Sequence, residues 1–172
     1  MGKIDDKFQW CLKKGEAGDK HKGLKKIKPG YIEAENQIKK AESDLGTMQF
    51  LYSGGRTDWV ASAAFYSMYH SLLAILYRLG YESRNQECTI TLVEKLIMDK
   101  AISLELKYIA MIRSLQGGAE DAKSIREEMQ YGSKTSMENA RCRKMMDNAV
   151  EFVDRVKEVL EELKLKGKGN NL

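Results

Sequence analysis

The sequence predicts an all-α protein, an up-and-down antiparallel bundle of about four or five helices. Three observations carry that prediction. The 172 residues contain a single proline, Pro29. Apolar residues recur at three- and four-residue steps over long windows, the period of a helix face. Glycines mark the ends of the first two windows, at Gly54-Gly55 and at Gly80. With 42% hydrophobic and 31% charged residues, the chain is long enough to bury a core of its own.

Residues 1–30 read as an irregular, lysine-rich leader ending in LKKIKPG, with Phe8, Trp10, Leu12 and Leu24 docking parts of it on the body. From Tyr31 to Tyr52, Ala34, Ile38, Ala41, Leu45, Met48 and Tyr52 keep helical spacing, and Ser53-Gly54-Gly55 ends that first helix. Thr57 or Asp58 caps a second helix. Its face of Ala61, Ala64, Phe65, Met68, Leu72, Ile75, Leu76 and Leu79 makes it the central rod of the core, and Gly80 stops it. Ile90 to Asp99 predicts a short third helix and Leu104 to Leu115 a fourth, interrupted at Gly117-Gly118 and continued or restarted over Ala119 to Tyr131. Ser136 to Leu163 predicts the last helix, on the stripe Ala149, Val153, Val156, Leu160 and Leu163. The domain plan is thus a basic leader (1–30), a bundle (31–164) and a flexible tail (165–172), with no strand expected. Two long helices joined by a short turn become antiparallel neighbours.

Charge is uneven. The first 30 residues hold nine lysines against four acids, so the chain's net +4 sits in the leader and the body is close to neutral. A neutral body argues against a dedicated duplex-binding module. The leader's lysines read as solvated charge, with contact to an acidic partner as the alternative. No run reaches the roughly 18 apolar residues needed to span a bilayer, and the N-terminus lacks a signal-type apolar run, so a cytoplasmic protein without membrane contact is expected. Cys11, Cys88 and Cys142 are odd in number and widely spaced, which reads as three reduced structural thiols rather than a disulfide or zinc site.

Standard catalytic signatures are absent. The two histidines, His21 and His70, follow no Glu-x-x-His pattern, and there is no HExxH, P-loop, GxGxxG or GxSxG. No metal or cofactor is expected. Two polar clusters remain as ligand-binding candidates. Tyr66 and His70 lie one turn apart on the second helix, where His70 is either a proton-transfer or phosphate-binding group or a structural hydrogen-bonder to a neighbouring helix. Arg126 and Gln130 share a helix face with Tyr131 beside it. There a guanidinium and a phenol can meet a phosphate or a base, or Arg126 simply pairs with a glutamate.

In order and spacing, the AAFYSMYHSLLAILYRLGYESR segment, the short apolar ITLVEKLI, the Arg126 to Tyr131 element and the long last helix resemble the HEPN-domain family over Tyr31 to Leu163. The leader, FQWCLKKG then GLKKIKPG, also looks like the front end of some archaeal-type members. The resemblance implies a homodimeric helical bundle found beside minimal nucleotidyltransferases, with a nucleotide or RNA as ligand. Ribonuclease members of that family carry arginine, a polar residue and then histidine after roughly four to six positions, and cleave RNA without metal across the dimer cleft, the arginine stabilising phosphorane charge and the histidine moving a proton. Arg126 is present here, but positions 131–133 read Tyr-Gly-Ser. The resemblance therefore implies a non-catalytic HEPN protein paired with a nucleotidyltransferase, toxin–antitoxin-like or substrate-binding. The alternatives are a metal-independent ribonuclease using Arg126 and Tyr131 as a divergent catalytic pair, and a dimeric scaffold without ligand.

Overall fold

The computed structural model describes residues 2–17, 23–116 and 139–169. Six helices make up 80% of these residues, an all-α bundle with little sheet. They are α1 (Lys3–Glu16), α2 (Tyr31–Ser53), α3 (Thr57–Arg78), α4 (Gln86–Met98), α5 (Leu106–Leu115) and α6 (Asn139–Gly169), with strands β1 (Leu24–Lys26) and β2 (Tyr81–Ser83).

The hairpin of α2 and α3 is the frame, and its turn is made by Gly54 and Gly55, the latter at φ +73°. Along α3 the residues Val60, Ala64, Met68, Leu72, Ile75 and Leu76 are buried. Ser67 and Ser71 are buried as well, and each hydroxyl donates to the carbonyl three residues back at 2.7 Å. These internal bonds satisfy the hydroxyls at little cost, and the small side chains let neighbouring helices come close. By length and composition α3 is apolar enough to cross a membrane, against the sequence expectation. Yet 72% of that window is buried in the bundle, so it serves as the core helix. α6 runs beside α2 in the opposite direction, shown by Lys157–Glu42 at 2.7 Å and Arg143 to the Tyr52 hydroxyl at 2.9 Å. α5 closes on α6, where the Tyr108 ring meets Phe152 edge-on at 5.6 Å.

Six expectations are corrected. The N-cap position of α3 is Arg56, with no side-chain cap bond, rather than Thr57 or Asp58. The leader is not irregular: α1 buries Phe8, Cys11 and Leu12, and β1 pairs antiparallel with β2 in the register Leu24↔Ser83, Lys25↔Glu82, Lys26↔Tyr81. The strands exist because Gly80, at φ +84°, turns the chain back. Its carbonyl accepts from Ile27 N at 2.9 Å, and a Cβ there would stand 2.8 Å from Ile27 O, so only glycine fits without a shift. The thiols are not all reduced: Cys11 and Cys88 form a disulfide with Cα atoms 5.7 Å apart, and Cys142 is free and buried. Residues 165–169, expected in the flexible tail, continue α6 to Gly169, since lysines at a helix C-terminus suit its dipole. α4 also begins a turn earlier than predicted, because the Asn85 side chain accepts from Cys88 N at 2.9 Å as its N-cap. The expected interruption at Gly117-Gly118 and the segment Ala119 to Tyr131 lie outside the described residues.

α1 is held on α4 by more than the disulfide. Lys7 pairs with Glu87, and Lys95 donates to Asp5 at 2.6 Å. Arg113 of α5 donates to Glu87 at 3.0 Å and to Glu94 at 2.9 Å. Burial alone pushes the Glu87 carboxyl up, but the hydrogen bonds from Lys7 and Arg113 outweigh it and hold the group below the ordinary carboxylate range.

Candidate functional site

The outward face of α3 presents Trp59 and Tyr66, each about half exposed, and His70 one turn beyond Tyr66. Tyr66 sits edge-on to Phe65 at 5.5 Å, and its ring lies 6.0 Å from that of His70. Tyr69 forms the buried wall on the other side, also 6.0 Å from His70. Burial pushes the Tyr69 phenol up, so it stays protonated and acts as a wall, not an acid.

The decisive contact comes from α2. Asp44 Oδ2 lies 2.6 Å from His70 Nδ1, and both side chains are about three-quarters buried. The α2–α3 hairpin makes this contact, since both residues sit about three to four turns from its tip. A carboxylate can only accept. Nδ1 therefore carries the hydrogen, and in the neutral ring Nε2 keeps its lone pair. His70 thus has the partner that sequence reading did not find, and Asp44 is the residue it missed. The only sequence signal for it is a carboxylate at matching height on the facing helix. The pair sits beside exposed aromatic surface and can position a polar group or accept a proton at Nε2.

Of the candidate ligand-binding residues, Tyr66 and His70 are brought together. Arg126, Gln130 and Tyr131 lie outside the described residues. Among the described residues, no group of three or more His, Cys, Asp and Glu side chains is placed to hold a metal ion. Away from this face, a concavity of about 340 Å³ lies between α2 and α6, lined by Ala34, Ile38 and Leu160, with Arg78 stacked 4.0 Å above the Tyr31 ring. Its Lys157 and Lys164 are paired with Glu42 and Glu161, which leaves the groove close to charge balance.

Removing the Asp44 carboxylate tests the pair. Asp44→Ala should cost about 1.5–3 kcal/mol in urea unfolding, the range for a hydrogen bond to a charged group. The ¹⁵N spectrum of His70 should move away from a single Nδ1–H form. An unchanged ring spectrum would show that Asp44 does not set the tautomer.

The fold and this hairpin define a small helical-bundle protein whose central helix carries a carboxylate-anchored histidine among aromatics. The chain belongs to the HEPN-domain family, whose family model (HEPN domain) matches residues 34–163. That span begins in the first turn of α2 and ends in α6, so it takes in all but the first three residues of the α2–α3 frame and leaves α1 and β1 outside. No curated protein matches the chain.

Proposed function

We propose that this HEPN protein is non-catalytic and works with a minimal nucleotidyltransferase, as a toxin–antitoxin-like or nucleotide- or substrate-binding pair, itself a cytoplasmic homodimer. One observation carries the reading: after Arg126 the chain has Tyr131, Gly132 and Ser133 where ribonuclease members carry a histidine. A phenol titrating near 10 is a poor proton shuttle at neutral pH. Among the described residues the one histidine, His70, has one ring nitrogen committed to Asp44. The Cys11–Cys88 bond is compatible with a cytoplasmic setting where thiols stay oxidised, as in hyperthermophiles.

The Asp44–His70 pair favours one runner-up. With Nε2 available beside Tyr66, His70 has the geometry of a proton acceptor, which a divergent ribonuclease built on Arg126 and Tyr131 would need. One experiment separates the readings. The protein is co-expressed with a minimal nucleotidyltransferase from the same genome, and the purified chain is incubated with RNA. Stable co-elution without RNA cleavage is the expected result. Cleavage that disappears in Arg126→Ala would establish the ribonuclease instead, and failure to associate would leave the scaffold.

A further inference from the structure

We propose that α1 and β1 form a binding face for single-stranded nucleic acid, outside the HEPN-matched residues. The face is built by two glycines. A Cβ at Gly15 would stand 1.9 Å from Leu24 O, and one at Gly23 would stand 2.3 Å from Cys11 O. β1 is therefore pressed backbone to backbone against the last turn of α1, which brings Lys13 and Lys14 to the same end of the molecule as Lys25 and Lys26. All four are exposed. Among the described residues none of them has a carboxylate at ion-pair distance, whereas Lys7 and Lys95 nearby are spent on Glu87 and Asp5. The nearest acids in the sequence are Glu16 and Asp19, and across the strands Glu82 stands opposite Lys25 and lies 3.9 Å from Arg84.

An aromatic completes the face. Trp10 is half exposed on α1, with Lys14 Nζ 5.6 Å from its ring centroid. Lysines that follow a backbone, together with a flat ring on which a base can stack, are the parts of a single-strand binding surface. A membrane fits less well. An interfacial helix must offer its apolar face to lipid, but that of α1, with Phe8, Cys11 and Leu12, is buried on the body. The disulfide and the ion pairs to α4 hold the face in place, so little ordering is needed on binding.

The test uses the full, oxidised chain and fluorescence anisotropy with a fluorescein-labelled single-stranded RNA of about 20 nucleotides, the matching single-stranded DNA and the duplex, a length exceeding one such site. Binding to at least one single strand should be tighter than to duplex. Its logarithmic salt slope should be near −3, about 0.7 for each of four neutralised phosphates. Changing Lys13, Lys14, Lys25 and Lys26 together to Gln should weaken it more than tenfold and flatten the slope. Trp10→Ala should weaken it about tenfold through lost stacking. The same four-charge loss at Lys39, Lys40, Lys144 and Lys166 should leave it unchanged. RNA-only binding assigns the face to RNA, and equal binding assigns it to single strands in general. No binding at low salt, tighter binding to duplex, or equal loss in both quadruple variants would overturn the proposal.

Discussion

Phe152→Ala should destabilise the protein by about 3–5 kcal/mol, the range for emptying a fully buried aromatic site. Phe152 is 0% exposed and is the largest fully buried side chain among the described residues. It lies between Ala149, Val153 and Val156 on α6, all buried, and the edge of Tyr108 meets it from α5. Truncation removes the ring and leaves Tyr108 facing a void. Tyr108 cannot collapse freely into that space, because its phenol donates to Glu151 of α6 at 3.0 Å. The cavity term therefore adds to the transfer term. Phe152→Leu, which keeps most of the volume, should cost about 1 kcal/mol. Urea unfolding followed by circular dichroism reads both, and thermal unfolding of the alanine variant should fall by about 10 °C for a chain of this size. A loss under about 1 kcal/mol for Phe152→Ala would mean that α5 does not depend on α6 for its packing.

The parts of the fold legible in the sequence share one property: a long apolar stripe at helical period. α2, α3 and α6 each had one, and glycines marked the ends of the first two. α1 was hidden because its buried face is only Phe8, Cys11 and Leu12, interleaved with lysines, and Gly15 beside it reads as loop. The strands have three residues each, too few for an alternation to show, and they are held by the Gly80 turn rather than by their own pattern. The disulfide joins cysteines 77 positions apart. No spacing rule covers such a pair, and only the docking of α1 on α4 makes it. The site was half legible in the same way. Tyr66 and His70 share a helix, so period placed them together, whereas Asp44 is 26 residues from His70 and belongs to another helix. Contacts within a helix are written in the local sequence, and contacts between helices depend on register, which a single sequence does not state.

Opening the Cys11–Cys88 bond, by reduction or by Cys11→Ser/Cys88→Ser, should remove about 4 kcal/mol of global stability. The bond closes a loop with a sequence separation of 77 residues, and a cross-link of that span restricts the unfolded chain by roughly that amount in the chain-entropy model. The loss should appear first as local release of α1, because the rest of the bundle keeps its α2–α3–α6 packing without it. Hydrogen exchange should then show faster exchange in residues 3–16 while α3 stays protected. What remains to hold α1 is its apolar face and two carboxylates, Asp5 and Glu87. The hydrogen bond from Lys95 holds Asp5 below its ordinary range. At Glu87, burial opposes the lowering but the bonds from Lys7 and Arg113 prevail. For groups depressed on folding, the stabilisation is present above the unfolded value and is lost as pH falls through the folded one. Release of α1 in the cysteine-free protein should therefore increase as pH drops through and below the usual carboxylate range, while the oxidised protein keeps the helix in place. Equal exchange of α1 in the two forms at neutral pH, with unchanged global stability, would show that the noncovalent clamp alone sets the docking. In that case the binding face formed by Trp10, Lys13 and Lys14 would stay preorganised even in the reduced chain.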